Sequence, residues 1–357
     1  MSLLDKMLKA GSIKSASVLS KSSFFNAKEV IPTDLPILNI AFSGSLDGGL
    51  LPGLTVVAGA SKSFKTMLSL YCMKAYLDKH EDGVAILYDS EFGITPDYLE
   101  SFNIDIDRVI HIPIENVEQL KFDIVQRLGE IEKKDNVFIM IDSIGNLASK
   151  KEVEDAENEK SVADMSRAKS LKSLFRIITP HLTTKAIPCI AINHVYQEIG
   201  MFPKAIVSGG TGIYYSANQI FIITKAQEKE GTELAGFRFT INIEKSRYVR
   251  EKSKLPFSVF FDSGIYKWSS LFELAQESGH IIKPKVGWYQ TVDMETGEIS
   301  AKSYRAKEIE NNDEYFEGLI KDKTFKEYVE RKFKLAAGAG GDKQVDLDED
   351  DEVDIDE

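Results

Sequence analysis

Residues 59–66, Gly59-Ala60-Ser61-Lys62-Ser63-Phe64-Lys65-Thr66, follow the apolar run 54–58 and precede residues 67–79, which read as a helix opened by Met67. A glycine-opened turn between a strand and a helix, ending in lysine and a hydroxyl residue, is chemistry for a phosphate chain. Backbone N–H groups of the loop and helix start point at phosphate oxygens, Lys65 reaches the β- and γ-phosphates, and the Thr66 hydroxyl ligates magnesium. The set suits a nucleoside triphosphate. One residue departs from the G-x-x-x-x-G-K-[ST] spacing: Phe64 stands where a second glycine usually gives room. Either the ring turns away and the loop is intact, or this is a decayed loop or a lysine-bearing surface turn. The kept spacing of Gly59, Lys65 and Thr66 favours the intact loop.

Two carboxylates extend the set. Asp142 ends the apolar run 137–141, at the sheet edge where ligands bind in open α/β folds, and is a candidate magnesium ligand. Glu91 follows a second run in Tyr88-Asp89-Ser90-Glu91, where a glutamate can orient and activate a water. Alone, either is an ordinary solvated strand-end acid; beside the loop they form a group.

These side chains need a sheet to carry them. Runs 54–58, 85–88, 137–141, 189–193 and 219–224 are aliphatic with little alternation, the pattern of strands buried on both faces. Runs 237–244 and 255–261 alternate and read as antiparallel additions to the same sheet. The fold class is therefore α/β, a mixed, mostly parallel sheet flanked by helices. At 357 residues with 43% hydrophobic content, the chain has room for one large domain with appendages. Residues 1–33 form an arm, with Leu3, Leu4, Met7 and Leu8 on one helical face and Phe24 and Phe25 beyond; it docks on a neighbour or packs back on its own core. The core spans 34–268, a small C-terminal subdomain 269–335, and a flexible linker with an acidic tail 336–357.

Net charge is −12, of which −9 falls within 342–357, leaving −3 for residues 1–341, so local basic patches are permitted. The tail is too charged and too poor in aromatics to fold. Cys72 and Cys189 lie apart in apolar runs, without metal-site or disulfide spacing. No run reaches the ~20 apolar residues of a membrane span, and the N-terminus lacks a signal-peptide core. A reducing, cytoplasmic setting without membrane attachment is expected.

In order, GASKSFKT, YDSEFG, VFIMIDS, AINH, GGTG and IEKSR resemble the core of the RecA-type recombinases over roughly residues 30–290. YDSEFGITP, IDSIGNLASKKE, KSLFRI and Phe64 resemble the phage UvsX branch of that family. The resemblance implies a RecA-like ATPase core with an oligomerisation arm, using ATP and Mg2+, that forms a helical filament on single-stranded DNA. It would catalyse homologous pairing and strand exchange with double-stranded DNA. Lys65 and Thr66 match the loop lysine and metal-binding hydroxyl, Glu91 the catalytic glutamate, Asp142 the metal aspartate, and Tyr98 the tyrosine stacked on adenine. His194 replaces the glutamine that senses the γ-phosphate; histidine is the side chain whose charge changes nearest physiological pH. Lys245 and Arg247 match the pair that reaches a neighbour's ATP, making turnover depend on assembly.

The resemblance also places two DNA loops, at 149–163 and 195–210. Lys150 and Lys151 in the first, then Lys169, Lys172 and Arg176 at helical spacing, would neutralise phosphates; without the resemblance the stripe reads as a solvated face. Met201 and Phe202 in the second would stack on bases or pack on the sheet, ahead of Gly209 and Gly210. Phe24 or Phe25 would anchor polymerisation. The acidic tail would compete with DNA or simply solubilise. Expected protein partners are a single-strand-binding protein and a recombination mediator. The alternatives are a RecA-fold hexameric helicase and a non-hydrolysing accessory protein.

Overall fold

The computed structural model describes residues 2–13, 16–22, 29–158, 166–197, 205–230, 233–262 and 264–336. The chain opens with α1 (Leu3–Ala10), capped by Ser2, and α2 (Pro36–Ser43), which starts at proline and ends at Gly44 in the left-handed region. β1 (Gly53–Gly59) leads to α3 (Lys65–Lys79), β2 (Val84–Asp89), α4 (Pro96–Glu100), β3 (Val109–Pro113), α5 (Val117–Glu130) and β4 (Val137–Asp142). Then come α6 (Lys150–Glu157), α7 (Ser166–Thr184), β5 (Pro188–Asn193), the hairpin β6 (Val195–Gln197) and β7 (Ala205–Val207), and α8 (Thr211–Ser216). Long strands β8 (Gln219–Glu230) and β9 (Glu233–Ser246) are followed by β10 (Lys254–Phe260) and β11 (Gly264–Ile265). The chain closes with α9 (Leu271–Glu277), the hairpin β12 (Ile281–Lys285) and β13 (Trp288–Thr291), α10 (Ala306–Glu310), α11 (Asp313–Leu319) and α12 (Lys323–Phe333).

Nine strands form one sheet in the order β11-β10-β9-β8-β1-β5-β4-β2-β3. Pairings from β8 through β3 are parallel, and β9, β10 and β11 add antiparallel at the other side. The mostly parallel α/β sheet with antiparallel additions is as expected from the aliphatic and alternating runs. Because successive side chains leave a strand on opposite faces, the aliphatic strands feed two cores. Val57, Ile190 and Ile192 join α2 and α3 on one face; Leu54, Val56, Ala58 and Ala191 join α5 and α7 on the other. Cys72 of α3 lies in the first core and Cys189 of β5 in the second, both as free, buried thiols.

Three local expectations need correction. The helix after the phosphate loop starts at Lys65 rather than at Met67, because Phe64 already acts as its N-cap residue. The first half of the loop expected at 149–163 is α6: Ser149 and Glu152 make a reciprocal capping box that starts a helix there. The second expected loop, 195–210, takes in both strands of the hairpin β6 and β7, paired from Val195 with Val207 to Gln197 with Ala205, and the turn after them. β3 and α5, assigned to no element from sequence, complete the sheet edge and its cover. Trp268 stacks on Phe316 at 5.6 Å, and Leu271, Phe316, Phe325 and Phe333 enter the first core, so the C-terminal helices share it. Phe24, Phe25, Met201, Phe202 and the acidic tail lie outside the described residues.

Candidate nucleotide site

The phosphate loop leaves β1 at the centre of the sheet. A Cβ on Gly59 would lie 2.7 Å from Ser63 Oγ and 2.8 Å from the Ile223 carbonyl oxygen, so the loop can curl over the strand end with glycine alone. Ser63 Oγ donates to the Ala60 carbonyl at 2.7 Å, and Lys65 Nζ donates to the same oxygen at 2.8 Å. Burial lowers the Lys65 pKa, while Glu91 and Asp142 pull the other way. Ser61 and Lys62 are exposed at the loop crest. Phe64 takes a left-handed backbone, φ 59°, and sends its ring edge-on against Phe239 of β9, centroids 5.0 Å apart. The ring is thus anchored on the sheet, while Phe64 still lines the cavity that the loop borders.

Across from the loop, Thr66 Oγ1 donates to Asp142 Oδ2 at 2.7 Å. Asp142 is 3% exposed, and its Oδ1 is buried with no hydrogen-bond partner. Desolvation, with Glu91 and Asp89 adding to it against the Thr66 hydrogen bond, pushes this carboxyl up to about 6. A buried carboxylate oxygen left unsatisfied beside a threonine hydroxyl fits a divalent cation completed by phosphate and water. Among the described residues no cluster of three or more His, Cys, Asp or Glu could cage a metal by protein alone.

Glu91 is held from two elements. Its Oε1 accepts from Ser143 Oγ at 2.7 Å and Asn146 Nδ2 at 3.1 Å, both just after β4. Its backbone N–H donates to Asp89 Oδ1 at 3.0 Å, and Asp89 Oδ2 lies 3.1 Å from His111 Nε2. His194 Nε2 approaches the same Oε1 at 3.4 Å. Gly145 makes that approach possible: a Cβ there would lie 2.4 Å from His194 Cδ2. From the end of β5, His194 also connects to the β6–β7 hairpin, because its carbonyl accepts from the Ser208 N–H at 3.0 Å. Asn193 Nδ2 donates to the Ser208 carbonyl at 2.7 Å.

Loop, carboxylates and histidine line one cavity of about 430 Å³, together with Tyr98, Met67, Lys225 and Phe237. Tyr98 sits behind its capping Thr95, edge-on to Phe102 at 5.3 Å. Lys225, with Nζ 3.3 Å from the Phe237 ring centroid, was not singled out in the sequence, nor were Asp89, Ser143 and Asn146. They hold or line the site through neighbours that only the fold supplies.

Other candidates lie elsewhere. Lys245 pairs with Ile220, level with Val56 and two strands across from β1, and its Nζ donates to the Tyr214 carbonyl at 2.6 Å. Arg247 lies beyond it and is exposed. Neither lines the cavity. On α7, Lys169, Lys172 and Arg176 are all exposed, while Leu171, Leu174, Phe175, Ile178 and Leu182 are buried, so the basic stripe is a real face. Lys150 and Lys151 are exposed on α6, with Lys150 Nζ 3.6 Å from Glu154. Gly209 and Gly210 form the turn before α8.

Comparison with known proteins agrees with this geometry. Residues 2–266 match the family model described as the RecA N-terminal domain, and residues 268–329 match that for the C-terminal domain of the bacteriophage T4 recombination and repair protein. The recombination and repair protein of Enterobacteria phage T4 is 47% identical over 359 residues, covering 99% of this chain and 90% of that protein. Protein RecA of Streptomyces avermitilis is 26% identical over 319 residues, 87% of this chain and 78% of that protein. Protein RecA of Synechococcus elongatus is 27% identical over 264 residues, 73% of this chain and 71% of that protein. The chain belongs to the RecA family of recombinases and stands with its phage branch.

Proposed function

We propose that this chain is a DNA-stimulated ATPase that assembles as a helical filament on single-stranded DNA and pairs it with a homologous duplex. The observation that carries the reading is the partnerless Asp142 Oδ1, 3% exposed and next to the Thr66 hydroxyl, in a cavity that also holds Lys65 and Glu91. Thr66 and Asp142 would hold magnesium, which when bound neutralises charge growing on the β- and γ-phosphate oxygens. Lys65 would leave the Ala60 carbonyl for those oxygens. Glu91 would accept a proton from the attacking water; Ser143 and Asn146 both hold Oε1, and no hydrogen bond among the described residues occupies Oε2. Tyr98 lines the cavity where adenine would sit. His194 joins Glu91 to the hairpin of the second loop, which supports its role as phosphate sensor.

Lys245 and Arg247 supply cations in trans, a role supported by their distance from the chain's own loop. The exposed stripe Lys169, Lys172 and Arg176, with Lys150 and Lys151, supports backbone binding to DNA, and sequence recognition is left to base pairing. Copies of itself, a single-strand-binding protein and a mediator are the proposed protein partners. A cytoplasmic setting is proposed, and no described helix is long and apolar enough to cross a membrane.

The test is ATP hydrolysis with and without single-stranded DNA, wild type beside Glu91→Gln, with assemblies imaged on the same samples. The expected result is DNA-stimulated turnover in wild type and a loss of ~100-fold or more in the variant, which still forms filaments. Closed rings with duplex unwinding would identify a helicase instead. No hydrolysis by either protein would make the chain a non-hydrolysing accessory factor.

A further inference from the structure

The helix that presents the basic stripe is also tied to the loop that holds Glu91. Arg167 lies in the first turn of α7; its Nε donates to the Leu147 carbonyl at 2.6 Å, and its Nη2 to those of Ile144 at 2.9 Å and Gly145 at 2.8 Å. Burial lowers the guanidinium pKa, with Glu152 acting against it, so the charge is placed on carbonyl oxygens rather than in water. A rigid fork on three carbonyls of one short stretch fixes that stretch as a unit, which a lysine's single ammonium cannot reproduce. The same stretch carries the two donors to Glu91, Ser143 and Asn146. A second tie lies alongside: Ser166 Oγ donates to Ser149 Oγ at 2.6 Å. Two residues beyond Arg167 the exposed stripe begins with Lys169.

We propose that Arg167 is a positioning residue that links occupancy of the α7 basic face by a nucleic-acid backbone to the orientation of Glu91. The link runs from α7 through the carbonyls of Ile144, Gly145 and Leu147 to Ser143 and Asn146. It reaches the carboxylate from the β4 side, separately from His194, which arrives from β5. This inference rests on the proposed DNA-stimulated hydrolysis. Contact of Arg167 itself with phosphate is the competing role, and it predicts different outcomes.

The experiment compares ATP turnover with and without single-stranded DNA, the KM for ATP, and DNA affinity with its salt slope. It uses wild type, Arg167→Gln, Arg167→Lys, Asn146→Ala, and the Arg167→Gln/Asn146→Ala pair. Both Arg167 variants should lose about tenfold of the DNA stimulation ratio, since misplacing a catalytic group by ~1 Å costs up to ~100-fold. KM and the salt slope should stay within about twofold of wild type, and Asn146→Ala should add little on the Arg167→Gln background. Restoration of the ratio by Arg167→Lys, or a DNA affinity lost with a shallower salt slope, would make Arg167 a phosphate contact and overturn the link. An unchanged ratio in both Arg167 variants overturns it as well. Should Arg167→Gln fail to fold, Asn146→Ala at its exposed position decides: a retained ratio refutes the link. Wild-type turnover that ignores DNA overturns the proposed function first, and the link with it, before any variant is compared.

Discussion

Where β1 meets the phosphate loop, each chemical group has a protein neighbour holding it in place: Lys65 the Ala60 carbonyl, Thr66 the Asp142 carboxylate, Glu91 the side chains of Ser143 and Asn146. Toward the start of β8 the furnishing is different. Lys245 is roughly 10 Å below Gly59 along the strand direction, directed at Tyr214, and Arg247 is open to solvent. The first region is a reaction site whose lining cations, Lys62, Lys65 and Lys225, all come from its own chain; the second is a pair of cations lacking a site. In the proposed filament the two regions belong to one active site drawn from adjacent copies. Hydrolysis would then be a property of the contact between subunits, not of the folded chain.

The largest effect should come from testing that division directly. Lys245→Ala and Arg247→Ala should each lower DNA-stimulated turnover by ~100-fold, the cost of removing a cation from a phosphoryl-transfer site. Mixing Lys245→Ala protein with Glu91→Gln protein should restore turnover, because some interfaces then combine an intact Glu91 with an intact Lys245. A mixture as inactive as its components would break the comparison and place the two residues in a merely structural role.

A middle-sized effect sharpens the account of the loop end. Asp142 binds its proton more tightly in the fold, at about 6, than an ordinary aspartate does at 3.8. Between these values the folded state holds more proton than the unfolded chain, so this group's contribution to stability falls as pH rises from about 4 to about 6 and stays low above. Asp142→Asn should therefore stabilise the metal-free protein near neutral pH, on the order of 1–2 kcal/mol, and flatten that decline. Thermal melts in chelator from about pH 4.5 to about pH 7.5 measure it. Adding magnesium and a non-hydrolysable ATP analogue should reverse the order, since wild type alone is then stabilised. A variant that melts below wild type in chelator at every pH contradicts a buried carboxylate without a full set of partners.

The smallest effect concerns Phe64. Replacement by glycine relieves a left-handed residue, about 1–2 kcal/mol, and loses an edge-to-face contact with Phe239, about 1 kcal/mol, together with some burial. The near cancellation should leave the melting temperature within about 3 °C and turnover within about twofold. Loss of nucleotide binding in this variant would show that the ring shapes the site as well as anchoring the loop.

The phosphate loop and its two acids were legible because their signal is local: an aliphatic run fixes a strand, and the residue at its end is then at the sheet edge. Asp142 and Glu91 needed no more than that. Arg167 is one basic residue among several in a helical stretch, and its partners are backbone carbonyls twenty or more positions earlier, which leave no mark on composition or period. Asp89 is hidden for a similar reason, since its work is to accept the N–H groups of Glu91 and Phe92. α6 was within reach: Ser149-Lys150-Lys151-Glu152 has capping-box spacing, and the four acids that follow in the expected loop obscured it. α5 was too, with Asn116 as its cap and Val117, Leu120, Ile124 and Leu128 on one face. The shared core of the C-terminal helices was not, because contacts such as Trp268 with Phe316 join segments with no common pattern.

The two cysteines give this sheet a pair of chemical clocks. Cys72 is sealed in one core and Cys189 in the other; burial pushes both thiols up, Cys189 to about 12, and suppresses the reactive thiolate. An alkylating reagent then marks each only during an excursion that opens its own face. When closing outpaces labelling, the two rates read out separate opening free energies for the two sides of one sheet. Equal rates would describe a sheet that opens as a whole. Unequal rates would describe a molecule whose two cores breathe independently while the strands between them stay paired.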